Sequence, residues 1–498
     1  MIRHPRLTAA LCLVTVLALG GCFMQPGGSS GAGDGSGTPA KPNIVFVLTD
    51  DLSWNLVRHM PNVLRMQKDG LTFRTFLMSD SLCCTSRATI FTGRYPHNTG
   101  VRTNFPPDGG YEVFKAKGGE ESSFAPVLRK AGYRTALLGK YMNGYHPKNT
   151  QGGTKPYVPP GWDEWHVAGY GYASYDYNLN ENGSLVHYGR EEQDYMTDVL
   201  ARKGVDFIRR SAKASKPFFI EIATFAPHAP FLPAPRHAGL FPGLKAPRPL
   251  SFNEANVDDK PSWLRSRPRL GRRGIANIDR AYRDRVRMVQ AVDEMVGWIR
   301  AVLKELGRDR DTYVVFGSDN GFHMGEHRLA GGKMTPYDSD IRVPFIVTGP
   351  DVPHGRTVME PTQNTDLAPT FLEIAGVKPP PSMDGRSLLP FLRGSTPSGW
   401  RETALIEHVK PPPSPEDPDR QDSAPGAPTT YNALRNDEML YVEYENGERE
   451  YYDRTRDPQE LNNVYDTLPE QKRRHLSDLL YAYTRCSGEA CLAAGRGR

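Results

Sequence analysis

The sequence predicts an α/β fold, a doubly wound and mostly parallel sheet with helices on both faces, joined to a smaller C-terminal α+β domain with an antiparallel sheet. Three observations carry that prediction. Short β-branched or aromatic runs at residues 44–48, 135–138, 218–223 and 313–316 each lead into a polar cluster, and unbroken apolar runs suit parallel strands buried on both faces. Helical patterns at 123–131, 198–211 and 282–306 alternate with them, as in an open α/β sheet. Beyond about residue 400 the texture changes to a Pro-rich charged stretch at 410–428, strand-like runs at 440–445 and 450–453 and a last helix near 470–485.

Taken in order, the chain begins as an export signal. Arg3 and Arg6 precede a short apolar run at 11–19, then Leu19-Gly20-Gly21-Cys22; the run is too short to span a bilayer, and small residues before a Cys resemble a bacterial lipoprotein signal, which implies cleavage before Cys22 and a lipid on it. Residues 25–40 are rich in Gly, Ser and Pro, the composition of a tether. The expected organisation is therefore a signal at 1–21, a tether at 22–40, the α/β domain at 41–400 and the smaller domain at 401–498. The expected location is outside the cytoplasm, on the bacterial cell membrane. In 498 residues, 62 basic and 57 acidic side chains leave a net charge of only +5, which gives no general attraction to nucleic acid; any affinity for anions must be local.

In the α/β region each polar cluster follows a strand: Asp50-Asp51, Lys140, His228 and Asp319-Asn320. Ligands of open α/β sheets bind beyond the carboxyl ends of the strands, so these groups are expected to converge. Adjacent carboxylates repel unless a cation joins them, and the oxygen donors Asp50, Asp51, Asp319 and Asn320 favour Ca²⁺ or Mg²⁺ over zinc. Cys83-Cys84-Thr85-Ser86-Arg87 places a Cys at the start of a short helix with Arg87 one turn on and Gly93 as its C-cap. Helix N-termini attract anions. Of the six cysteines, Cys486 and Cys491 are expected to pair, whereas adjacent Cys83 and Cys84 are poor partners for one another.

These motifs resemble the sulfatase family of the alkaline phosphatase superfamily. The CxPSR signature and its Thr-Gly-Arg sequel correspond to Cys83–Arg87 and Thr92-Gly93-Arg94, and the likeness runs from about 41 to 485 through Leu138-Gly139-Lys140, Ala226-Pro227-His228, Thr365-Asp366-Leu367-Ala368-Pro369-Thr370 and Asp384-Gly385-Arg386. It implies a sulfuric ester hydrolase whose Cys83 is oxidised by a formylglycine-generating enzyme to an aldehyde. The aldehyde hydrates; one hydroxyl attacks sulfur and the other later collapses the sulfo-enzyme. It further implies a metal on Asp50, Asp51, Cys83, Asp319 and Asn320, with Arg87, Lys140 and Lys333 binding the sulfate and His228 protonating the departing alcohol.

Two departures stand out. Thr85 occupies the signature's Pro position, and Met142 stands where many members have His two residues after the Lys. Lys140-Tyr141-Met142-Asn143 and the aromatic, Asn-containing segment 170–183 resemble the N-acetylglucosamine-6-sulfatase branch, which makes a sulfated sugar the expected substrate. The alternatives are an aryl sulfate, a phosphate or phosphonate ester, or a lipoprotein that binds sulfated glycans with Cys83 unmodified. His323 and His327 flank the metal motif and are expected either to line the pocket or to pack its loop, and specificity is expected in the loops 143–165 and 410–428.

Overall fold

The computed structural model describes residues 41–214, 216–419 and 427–496; the signal, Cys22 and the tether lie outside them. A ten-stranded mixed sheet forms the centre. Its inner strands, in spatial order Thr312–Ser318, Asn43–Thr49, Phe218–Ala223, Arg134–Lys140 and Glu164–Ala168, are mutually parallel. Along Asn43–Thr49, Ile44, Phe46 and Leu48 enter one core and Val45 and Val47 the other. Burial on both faces is why this strand reads as a continuous apolar run rather than an alternation.

The strands anticipated at 44–48, 135–138, 218–223 and 313–316 are present, each end matched or extended by one or two residues. The helices are Phe124–Lys130, Met196–Ala212 and Arg272–Glu305. The last begins ten residues before the expected 282, because its Arg-rich first turns carry little apolar periodicity to read. Antiparallel pairs flank the parallel strands on both sides: Phe345–Thr348 pairs with Thr312–Ser318 and Leu71–Phe73 on one side, beyond which Arg356–Val358 adds in parallel, and Tyr177–Glu181 and Ser184–Tyr188 form a hairpin on the other. A separate four-stranded antiparallel sheet joins Ala404–His408, Tyr431–Arg435, Met439–Tyr444 and Arg449–Asp453. The helix Glu470–Tyr483 packs on it through Leu476 and Leu480, and Cys486 and Cys491 form the expected disulfide.

Glycine is required where the strand Arg134–Lys140 reaches the site. Gly139 has φ +99°, and a Cβ there would lie 2.0 Å from the carbonyl oxygen of Ala223, so any larger residue would push Lys140 away from its neighbour strand.

One buried group tests the electrostatics of this core. Glu221 lies on the strand Phe218–Ala223 with both carboxylate oxygens unpartnered among the described residues. Burial pushes its pKa up to about 8, with only the charge of Arg87 opposing. Its folded pKa is raised, so between about pH 4.5 and 8 the native state holds a proton the unfolded chain has released, and stability falls as pH rises. Glu221→Gln is expected to remove this slope, at about 1.4 kcal/mol per pKa unit, so that its melting temperature exceeds that of the parent at pH 8 and matches it near pH 5. Parallel melting profiles across that range would contradict the assignment.

Candidate active site

The helix Cys83–Thr92 is buried along its whole length and ends at Gly93 in the left-handed region, φ +67°. Cys83 opens its first turn. The Cys84 amide donates to Asn104 Oδ1 at 3.1 Å, which fixes this helix end against the loop that carries Asn104. Around the Cys83 Sγ stand Lys333 Nζ at 2.8 Å, Asp50 Oδ1 at 3.3 Å and Asp419 Oδ2 at 3.5 Å.

Strand ends, the same helix through Arg87 and the loop that carries Lys333 deliver the remaining groups. Lys140 Nζ donates to Asp50 Oδ2 at 2.6 Å, Arg87 Nε to Asp319 Oδ2 at 2.8 Å, and Lys333 Nζ and Asn320 Nδ2 to Asp51 Oδ1 at 2.7 and 2.6 Å. Asp51 is in the left-handed region, φ 67°, which Asp tolerates better than most residues, and buried Arg285 donates to its carbonyl. All of these side chains are buried.

The donor set fits a hard divalent ion. Asp51 Oδ2 and Asn320 Oδ1 are buried oxygens that accept no hydrogen bond among the described residues, and ligand atoms of Asp50, Asp51, Cys83 and His228 all lie within 4.8 Å of one another. The charges around them are strongly tuned. Burial would raise the pKa of Asp50, but Lys140, His228, Lys333 and Arg87 hold it at about 2. Asp319 is raised to about 6 by burial and the charge of Asp50, in spite of Arg87. Burial and the charges of Asp419 and Asp50 push the Cys83 thiol well above its usual range, so unmodified Cys83 is a thiol and a poor nucleophile here.

His228 has acceptors at both ring nitrogens, the Ala229 carbonyl at 2.6 Å from Nδ1 and Asp419 Oδ1 at 2.8 Å from Nε2. Against the effect of burial, Asp51, Asp50 and Asp419 raise its pKa to about 9, so it is protonated at neutral pH and poised as an acid. Tyr172 covers its ring, 4.5 Å between centroids, and lies 5.2 Å below Lys140 Nζ.

Every side chain expected from the sequence, Asp50, Asp51, Cys83, Arg87, Lys140, His228, Asp319, Asn320 and Lys333, is thus in one cluster. The flanking histidines divide: His323 lines the adjoining cavity while pairing with Asp340, whereas His327 packs on Tyr337 and pairs with Glu254. Met142 joins the hydrophobic core. Asn104, Tyr172 and Asp419 complete the site although the sequence did not single them out. Asp419 comes from the Pro-rich loop, where nothing local distinguishes it from its acidic neighbours.

Asp419 bridges Lys333 at 2.8 Å, His228 and Asn104 Nδ2 at 2.8 Å. Asp50, Asp51 and Asp319 face the four cations Arg87, Lys140, Lys333 and His228, and Asp419 supplies the fourth negative charge. A carboxylate so placed competes for the donors an anionic substrate would use. Asp419→Asn is therefore expected to lower KM for a small sulfate ester by about tenfold, the scale of one hydrogen bond to a charged group; an unchanged or higher KM would remove Asp419 from this role.

Comparison with known proteins follows the same pattern. The family profile described as Sulfatase matches residues 42–377, more than half of the chain. The chain belongs to the sulfatase family. A second profile, described as N-sulphoglucosamine sulphohydrolase, C-terminal, matches 325–482 of this sulfatase. The human N-acetylglucosamine-6-sulfatase is 33% identical over 523 aligned residues, covering 99% of this chain and 92% of that protein. An extracellular sulfatase Sulf-1 homolog of Caenorhabditis elegans is 38% identical over 74% of the chain, which spans only 53% of that longer relative. A solved structure of a protein in complex with its substrate D-glucosamine-2-N,6-O-disulfate superposes with a TM-score of 0.73 at 24% identity, covering 92% of this chain and 99% of that one, and shares the fold. The sulfatase is thus a sulfuric ester hydrolase by family.

Proposed function

We propose that this sulfatase releases sulfate from a sulfated carbohydrate of the glucosamine-6-sulfate kind, using a formylglycine made from Cys83 and one divalent cation, Ca²⁺ or Mg²⁺. The observation that carries the reading is Cys83 Sγ set between Lys333 at 2.8 Å and Asp50 at 3.3 Å, beside buried carboxylate and amide oxygens that accept no hydrogen bond among the described residues. The similarity to N-acetylglucosamine-6-sulfatases over nearly the whole chain supports the sugar. The lipoprotein-like signal supports export and anchoring to the cell membrane through Cys22.

Asp50, Asp51, Asp319, Asn320 and the modified Cys83 would hold the cation, which when bound supplies a Lewis acid that polarises a sulfate oxygen and acidifies a hydroxyl. The aldehyde hydrate supplies that hydroxyl as nucleophile. Lys333 and Lys140 bind the negative charge of the sulfate group, and Arg87 holds Asp319 in orientation through the 2.8 Å ion pair. His228, protonated and held by the Ala229 carbonyl, delivers its proton to the departing alcohol oxygen. Burial around them excludes bulk water from the charges and strengthens each contact.

Cys83 and Thr85 are both 0% exposed, so a formylglycine-generating enzyme must read them before the chain folds. Thr85 in the signature's Pro position supports a second reading, in which Cys83 stays a thiol and the protein binds sulfated glycans without turning them over. The mass of the tryptic peptide from Thr75 to Arg87 decides between them. A loss of about 18 Da, the change from thiol to aldehyde on the oxidation path of a reactive Cys, together with sulfate release from N-acetylglucosamine-6-sulfate, is the expected result. An unmodified thiol with no release would sink the hydrolytic reading.

A further inference from the structure

A cavity of about 550 Å³ opens beside Asp51, His228 and Lys333. One face of the helix Arg272–Glu305 lines it, with Gly274, Asn277, Ile278 and Ala281 at helical spacing, and Phe231 and Phe322 add aromatic wall. An apolar, partly aromatic wall beside a charged centre suits the ring of the alcohol that carries the sulfate.

Arg267 shares this lining. Its guanidinium makes no hydrogen bond, ion pair or ring contact among the described residues, and its Nε is buried without a partner. The other cations that line the same cavity are paired: Lys333 and His228 both face Asp419. The backbone of Arg267 is nonetheless held in place. Arg328 Nη1 donates to the Arg267 carbonyl at 2.9 Å, while its other nitrogens donate to the carbonyls of Glu254 and Ala255 at 2.8 and 2.7 Å. Arg328 therefore ties Arg267 to the far side of its loop and brings no carboxylate with it.

The local charge is also one-sided. Arg265, Arg267, Arg269, Arg272 and Arg273 fall within nine residues that contain no acid, and among the described residues only Arg265 has an acidic partner, Glu448 at 3.9 Å. A net charge of +5 over the whole chain makes this stretch a local feature. A partly desolvated guanidinium on a cavity wall, with no ion-pair partner among the described residues, is stabilised by an anion that arrives with the ligand.

We propose that Arg267 forms a second anion subsite, separate from the groups that hold the scissile sulfate, and that it selects saccharides carrying a further sulfate or carboxylate. The inference rests on the sulfated-sugar reading above and narrows it to polyanionic saccharides. Guanidinium binds either anion through paired N–H donors, so the two sources need separate probes.

Three ligands separate them: N-acetylglucosamine-6-sulfate, glucosamine-2-N,6-O-disulfate, and N-acetylglucosamine-6-sulfate linked to a uronic acid. Calorimetric affinities are measured on the full chain in a Cys83→Ala background, and kcat/KM on the matured protein. At least one doubly charged ligand is expected to bind about 10- to 100-fold tighter than the singly charged one, the range of one charge-assisted contact, and whichever does so identifies the anion. Arg267→Gln is expected to bring that ratio close to one, with Arg267→Lys keeping part of it. A ratio near one in the parent, or a ratio that survives Arg267→Gln, overturns the subsite. An affinity ratio that depends on Arg267 without any sulfate release would uphold the subsite and refute the hydrolytic reading, so the two failures are distinguishable.

Discussion

Cys83→Ala is expected to lower sulfate release by about five orders of magnitude or more, the scale seen when a catalytic nucleophile is deleted. The substitution removes a single sulfur from the first turn of a helix, and Ala is the best helix former, so the fold should survive. Lys333 would keep Asp51 and Asp419 as partners at 2.7 and 2.8 Å, and no buried charge would be stranded. Ion chromatography of released sulfate, run beside far-ultraviolet circular dichroism and a melting curve, is the measurement. Substantial release from a folded Cys83→Ala protein would mean that another group attacks sulfur, and the assignment built on this helix would fall.

Asp51→Asn is expected to have the next largest effect, a loss of about three orders of magnitude in kcat/KM with a matching loss of bound Ca²⁺ or Mg²⁺. Asp51 is the natural target because its Oδ2 is a buried oxygen that accepts no hydrogen bond among the described residues and its Oδ1 already receives Lys333 and Asn320. Asn is the right replacement because the backbone at 51 has φ 67°, where Ala would add strain that confuses the result. Metal content by mass spectrometry and activity after chelation and re-addition of each ion would be read together. Full metal content in the variant would place the ion elsewhere.

How much of this could be read from the chain differs between the parts. Four of the five inner strands, all but Glu164–Ala168, were legible because burial on both faces writes an unbroken apolar run, and the residues that follow each run were legible as site candidates because strand ends of an open sheet converge. Asp50, Asp51, Lys140, His228 and Asp319 are all of this kind. The strands at the sheet's margins were less legible: Ser184–Tyr188 has no buried residue at all, so it lacks the apolar pattern that would announce it.

The sequence by itself determined the strand and helix alternation, the start of a helix at Cys83 and the identities of the groups that follow the strands, because each is written in local periodicity and short motifs. Only the tertiary structure decided that Asn104 holds the amide of Cys84, that Asp419 reaches back 336 residues to the sulfur of Cys83, and that Arg267 lines the cavity with no ion-pair partner among the described residues. Those placements depend on how distant loops pack on a finished sheet, and no local pattern of polarity records where a loop will land.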